Sequence, residues 1–486
     1  MTKVLSNLKP QPLWNIFESI CEIPHPSGHI EKIAAFIMDF ADKNGLEAYQ
    51  DKIGNIIIRK PATLGYEDRK GVILQSHIDM VPQKNSDSDH DFENDPIKPR
   101  IVGKLVKATN TTLGADNGIG VATSLALMIS NEIEHGPLEC LMTIDEETGM
   151  TGAMNLEPGK IKGDILINLD SEVHGELFVG CAGGMRTSAY MDYDEEDKLD
   201  NHKIFQIAVK GLKGGHSGVD IHLQRANAIK IMARLLSSLN EKIDLRISSI
   251  NGGTLQNAIP REAFSIIAIN SENENTLKEN VNAFQEIIRN EFSSVDPDIS
   301  ISIEPVNKKV KFMKEKVMSV LLHALLGCPC GVYRMSDDME GLVETSNNLA
   351  TINAGNGNIK IQTSQRSSVD SRREEISSSV KSIFELAGFK VLLDSSYPGW
   401  KPDLESPILG IVKKSFIDLF GQEPKITAIH AGLECGLFKS IYPDWDMISI
   451  GPDIYFPHSP DESVNIATVE YFWRLLQEIL KRIPKK

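Results

Sequence analysis

The chain has 486 residues, enough for two or three folding units at roughly 150 residues each. Apolar residues make up 41% and charged residues 24%, a balance that fits a globular chain and excludes disorder. The formal net charge of −16 would repel nucleic-acid phosphates and anionic lipid, so no nucleic acid and no membrane is expected as a partner.

No run approaches the roughly 18 apolar residues of a membrane helix, and the N-terminus lacks a basic start before a long apolar stretch. The expected location is cytoplasmic. Cys21, Cys140, Cys181, Cys328, Cys330 and Cys435 are spread thinly, which fits reduced thiols better than a disulfide framework. Cys328-Pro329-Cys330 has no second pair to make a zinc knuckle and reads as packing beside a helix end.

Taken in chain order, helical spacing of apolar residues over 13–44 predicts an amphipathic helix covering a sheet. Strands are expected at 55–59 and 72–76, then a helix at 119–130 after Gly114-Ala115-Asp116-Asn117-Gly118, then strands at 141–144 and 165–169. The alternation predicts α/β structure with a largely parallel sheet. Beyond about residue 185 the character changes, and the acidic segment 192–200 reads as a solvated connection. A second, α+β unit is expected there with one pattern used twice. Helices at 225–239 and 316–326 precede strands at 243–248 and 331–336, Asn-bearing strand pairs at 254–269 and 343–363, and closing helices at 276–292 and 373–386. From about 400 the α/β character returns, with helices at 408–420 and 467–483 around an apolar segment at 445–450. The simplest architecture is two-domain. Residues 1–186 and 399–486 form an α/β unit with a mixed, mostly parallel sheet flanked by helices, and 187–398 form an inserted unit with an internal duplication.

Three of the apolar runs stop in potential metal ligands. Val72–Ser76 leads into His77-Ile78-Asp79, Leu141–Ile144 into Asp145-Glu146-Glu147, and Ile165–Leu169 into Asp170. Ligands of open α/β sheets gather beyond the carboxyl ends of the strands, so these side chains would converge. His77 and Asp79, at i and i+2, point to one side of a strand, where the Asp can fix the imidazole tautomer. Glu146 and Glu147 would repel in a crevice unless a cation or shared proton intervened. Alternatively they are acids in a helix's first turn, and Asp116 is only a helix cap. The conjunction of His77, Asp116, Glu147, Asp170 and His458 favours two divalent metals with a bridging carboxylate and a separate base. His25, His29, His90, His135, His174, His202 and His323 read as surface or packing histidines.

The segments Ser76-His77-Ile78-Asp79-Met80-Val81, Gly114–Gly118, Asp145-Glu146-Glu147-Thr148-Gly149 and Asn168-Leu169-Asp170-Ser171-Glu172 resemble the co-catalytic zinc peptidases. That family includes carboxypeptidases, aminoacylases, tripeptidases and dipeptidases. The likeness extends through Gly214–His222, Asn257–Pro260, His430–Gly436 and Pro457–Pro460, covers nearly the whole chain, and is greatest to the bacterial aminoacyl-histidine dipeptidase branch. It implies a catalytic domain from both ends of the chain and an inserted lid. It further implies that His77, Asp116 and Asp170 hold one zinc and Asp116, Glu147 and His458 the other, with manganese or cobalt as alternative metals. Glu146 matches the family's general base, acting on a metal-activated water, and Asp79 the residue that orients His77. The Asp116-Asn117 peptide is expected to be cis.

The implied reaction is hydrolysis of dipeptides with a free amino end, Xaa-His and β-alanyl-His among them. His216 is expected to donate to the oxyanion. Arg366, and with it Asn257, would bind the substrate carboxylate, and Glu434 or His430 its amino end. Gly432-Leu433-Glu434 departs from the Gly-Thr-Asp type sequence of many relatives. Relatives with short lids dimerise through them, so a homodimer is one expectation; a doubled lid could instead supply equivalent surfaces within one chain. A tripeptidase, carboxypeptidase or N-acyl amino acid deacylase would share the metals. A non-catalytic binding protein should have lost Glu146 or a ligand, and this chain keeps all of them.

Overall fold

The computed structural model describes residues 3–197 and 200–486, so part of the acidic connection expected at 192–200 lies outside the described residues. The chain divides into two compact units. The first comprises Met1–Gly180, Pro402–Ala428 and Leu433–Lys486; the second comprises Cys181–Lys401 with Ile429–Gly432.

In the first unit the strands Leu138–Thr143, Val72–His77, Ile165–Asn168 and Asp446–Ser449 lie side by side and run parallel. Each carries an apolar stretch and has nearly every residue buried, as a strand covered on both faces requires. The outer strands are antiparallel: Ile56–Lys60 and Glu47–Gln50 on one side, Glu176–Cys181 on the other. Parallel register sets His77 opposite Thr143 and Gln75 opposite Asn168, so the carboxyl ends of neighbouring strands open at one edge.

The single helix expected over 13–44 is two helices, Gln11–Cys21 and Glu31–Lys43. Pro24 and Pro26 cannot continue a helix, and Gly28 turns the chain at φ 81°. The following helix, Ala115–Ile129, is interrupted at its start by non-helical Asp116 and Asn117, whose shared peptide is cis as expected. Phe17 lies 3.1 Å from where a Cβ on Gly118 would sit, so the first helix packs directly onto this one.

The second unit is built on one sheet with the path Ser300–Pro305, His202–Lys210, Ala263–Asn270, Leu245–Gly252, Val343–Gly355, Asn358–Ser367, Gly183–Asp192, Lys390–Tyr397. Its two halves repeat one order of elements. His202–Lys210 is followed by helix Ala228–Asn240, a strand pair, helix Glu274–Glu291 and an edge strand; Gly183–Asp192 is completed in the same way by helices Glu315–Gly327 and Asp370–Leu386. The second copy is therefore split, with the first inserted after its opening strand. The halves meet antiparallel at the centre, Ile250 opposite Ala354 and Gly252 opposite Ile352. The sequence pattern aligned 243–248 with 331–336. In the structure the counterpart of Leu245–Gly252 is Val343–Gly355, and Gly331–Met335 is an added strand beside it. Leu235, Leu236, Ile267, Leu325 and Phe384 are among the apolar side chains buried between this sheet and its helices. Among the described residues no helix is long and apolar enough to cross a membrane.

Candidate active site

At the carboxyl edge of the first unit's sheet, His77 Nε2 lies 3.1 Å from Asp116 Oδ1 and 3.2 Å from Asp170 Oδ1. His458 Nε2 lies 3.1 Å from Asp116 Oδ2 and 3.0 Å from Glu147 Oε2. The two oxygens of Asp116 therefore face different imidazoles. Three sets, His77–Asp116–Asp170, Asp116–Glu147–His458 and His77–Glu146–Glu147, each bring their ligand atoms within 4.8 Å of one another.

Asp79, which is buried, organises one side of this cluster. Its Oδ1 lies 3.3 Å from His77 Nδ1 and accepts from the amide of Glu146 at 3.1 Å, while Oδ2 accepts from Ser27 Oγ at 2.7 Å and from the amide of Glu147. Burial opposes charge on Asp79, but these donors, His77 foremost, hold its carboxyl below the usual range. Ser27 comes from the loop that breaks the N-terminal helix.

The donor set can be tested for a metal without one present. His77 Nδ1 faces the Asp79 carboxylate and backbone oxygen, which places the ring proton there and leaves the Nε2 lone pair aimed at two carboxylates. Such an arrangement is repulsive unless a cation sits between them. Without one, charge is balanced by protons. Burial opposes a charged His77, but Asp170 and Asp116 raise it well above its ordinary value, and hydrogen bonds to Asp116 and Glu147 push His458 up to about 11. Burial, with the nearby charges of Asp170, Glu434 and Glu147 adding to it and His77 opposing, raises Glu146 well above the usual range; burial with Asp116 and Asp170 pushes Glu172 up to about 9. Glu147 Oε1 is buried without a hydrogen-bond partner. Carboxylates and imidazoles in these positions fit two divalent cations, zinc, manganese and cobalt alike.

The second unit gathers its own polar cluster. The short ladder Gly215–His216 with Ala258–Ile259 brings Asn257 beside His216, and the Ser217 amide donates to Asn257 O at 2.8 Å. A Cβ on Gly218 would lie 2.3 Å from His430 O and 3.1 Å from both Arg366 Nε and His216 Cε1, so these residues converge. His216 Nδ1 accepts from the amides of Gly218 and Val219, and burial with the Arg366 charge lowers its pKa to about 4. At neutral pH His216 is thus uncharged and carries its proton on Nε2. Burial and Arg366 likewise lower His430 to about 3; its Nε2 lies 2.8 Å from Ser346 Oγ. Arg366 Nη1 donates to Tyr397 Oη at 3.1 Å, and its Nε has no partner.

Against known proteins, a profile described as a peptidase dimerisation domain matches residues 207–296, within the first copy of the second unit. The cytosol non-specific dipeptidase of Escherichia coli K12 is 47% identical over 482 residues, 99% of each chain. The crystal structure of aminoacylhistidine dipeptidase from Vibrio alginolyticus is 47% identical with a TM-score of 0.94, covering 100% of this chain and 99% of that one. The chain belongs to the M20 peptidase family. An M20 metallo-carboxypeptidase from Sulfolobus solfataricus, 15% identical with a TM-score of 0.55 over 96% and 98% of the two chains, shares the fold.

In this M20 peptidase Glu172 and Gln75 were not singled out by the sequence. Glu172, two residues after Asp170, looks in sequence like an ordinary turn acid, yet it is held against Asp116 and Asp170. Glu434, expected at the substrate's amino end, is 0% exposed. Its Oε2 accepts from Gln75 Nε2 at 2.6 Å and Thr143 Oγ1 at 2.8 Å, and Oε1 has no partner. Burial first, and Asp170 after it, push its carboxyl up to about 8 against His77. Gln75 in turn accepts from Asn168, so one polar line runs across the strand ends beneath His77 and Asp170.

Proposed function

We propose that this chain is a dinuclear metallo-dipeptidase that hydrolyses dipeptides with a free amino end, Xaa-His and β-alanyl-His among them, with broad specificity. One observation carries the reading: Asp116 offers its two oxygens to two separate ligand sets, with Glu146 beside them. The 47% identity over nearly the full length of a named dipeptidase supports the substrate class.

His77, Asp116 and Asp170 would hold one cation and Asp116, Glu147 and His458 the other. Bound there, the pair would supply Lewis acidity to the scissile carbonyl and acidify water. Glu146 takes the water proton and passes it to the leaving nitrogen. Its high proton affinity without metal supports that role, since nearby cations would bring it back toward neutrality. Asp79 keeps His77 in the tautomer that presents Nε2. His216, uncharged with Nε2–H free to donate, stabilises the oxyanion. Arg366 and Asn257 hold the substrate carboxylate, with the guanidinium braced by Tyr397. His430 and Glu434 are assigned to the amino end, Glu434 through its unpartnered Oε1.

Light scattering distinguishes a homodimer from a monomer in which the doubled second unit supplies both surfaces. A cytoplasmic location is supported by the name of the Escherichia coli relative, a cytosol dipeptidase. The decisive experiment chelates the enzyme, restores zinc, manganese or cobalt, and compares Xaa-His, β-alanyl-His, tripeptides and N-acyl amino acids. Fast dipeptide cleavage is expected. Rapid N-acyl cleavage with inert dipeptides would make the chain a deacylase instead.

A further inference from the structure

Glu462 follows His458 by four residues and is 2% exposed. Its carboxylate accepts from four consecutive backbone amides of the loop that ends in Asp116. Oε2 receives Leu113 at 2.6 Å and Gly114 at 3.0 Å; Oε1 receives Ala115 at 2.8 Å and Asp116 at 3.3 Å. The amides converge because Gly114 is left-handed at φ 69°, turning successive N–H groups to one side as an anion-binding nest. A Cβ at Gly114 would meet Met80 Sδ at 2.9 Å, so the loop is shaped tightly around this conformation.

The other end of the clamp is equally constrained. Phe456 and His458 are themselves left-handed, at φ 52° and 58°, a conformation L-residues hold only when their surroundings fix it. Ser459 Oγ donates to Phe456 O, the Glu462 amide donates to Ser459 O, and the strand Ser463–Asn465 then pairs with Leu105–Lys107. Glu462 is thus where the His458 turn and the Asp116 loop are tied, across some 350 residues of sequence.

We propose that Glu462 is a positioning residue for the cation held by Asp116, Glu147 and His458, setting the spacing between Asp116 Oδ2 and His458 Nε2. The inference rests on the two-cation reading. It assigns Glu462 no contact with substrate or metal; it acts through the two loops it joins.

The test titrates chelated protein with Co²⁺, reading stoichiometry, affinity and the visible d–d spectrum, with near-UV circular dichroism of the metal-free form as the fold control. In Glu462→Gln the carbonyl can still accept one pair of amides, while the NH2 group opposes the other pair. The native protein should take up two equivalents. The variant, with native circular dichroism, should bind one of them more weakly by roughly ten- to a hundredfold, with an altered spectrum. In a His458→Ala background, Glu462→Gln should add no further loss at that equivalent. Should Glu462→Gln fail to fold, Glu462→Asp, which keeps the charge one methylene short, carries the same comparison. Native affinity and spectrum for both equivalents in the variant, or losses that add to those of His458→Ala, overturn the role. A native protein that takes up fewer than two equivalents overturns the two-cation reading, and this inference with it.

Discussion

Replacing Glu434 by Gln should stabilise the metal-free protein at neutral pH. The buried carboxyl titrates near 8 when folded against an ordinary 4.5. Between those values the folded state keeps a proton that the unfolded chain releases, so stability falls as pH rises through the window. At pH 7 the span is about 2.5 units at about 1.36 kcal/mol each, roughly 3 kcal/mol. Gln cannot ionise, yet its carbonyl can still accept from Gln75 and Thr143, and its NH2 takes the place of the unpartnered Oε1. Urea unfolding of EDTA-treated native and Glu434→Gln proteins from pH 4.5 to 8 should show a gap near zero at the acid end. The gap should widen by about 1.4 kcal/mol per pH unit, with equal denaturant slopes in both proteins. Adding zinc should narrow it, because a neighbouring cation favours the carboxylate. A gap that is independent of pH, or a variant less stable at pH 7, would refute the assignment of a buried, protonated Glu434.

Glu146→Gln should lower kcat by roughly 10² to 10⁴ while metal content, read by atomic absorption, stays native; lost metal would instead make Glu146 a ligand. Arg366→Ala should raise KM for free dipeptides roughly ten- to a hundredfold, the worth of a charge-assisted hydrogen bond, and leave C-terminal amides nearly unchanged. Equal losses on both substrate classes would deny it the carboxylate. Cys140 and Cys328, whose thiols burial pushes up to about 12, should resist disulfide exchange reagents at pH 8 until urea exposes them. Their fast labelling in the native protein would contradict the packing described.

The candidate metal ligands were legible because each follows a strand or lies in a tight turn, and period-two geometry sets His77 and Asp79 on one side. The duplication was legible in its helices and hairpins but not in its register. The short strand Gly331–Met335 follows its helix just as Leu245–Gly252 follows the other, and only the ladder to Val343–Gly355 separates them. The break between Cys21 and Glu31 was hidden by apolar spacing that continues through it, although Pro24, Pro26 and Gly28 carry the signal. Glu462 was invisible for a different reason. Its partners are backbone amides, which leave no trace in residue type, and they lie some 350 residues away. The complete burial of Glu434 was not legible, because residue type alone marks a carboxyl as exposed, whereas one that keeps its proton can be buried entirely.

The strand Asp446–Ser449 is synthesised late, yet it lies inside the sheet between Ile165–Asn168 and Glu176–Cys181. A chain that has not reached residue 446 therefore lacks an inner strand of its first unit's sheet, although every residue of the inserted unit precedes that point. His458 arrives later still. On the two-cation reading, a chain that stops short of His458 lacks one ligand of the pair, so truncated fragments should be inert toward peptides.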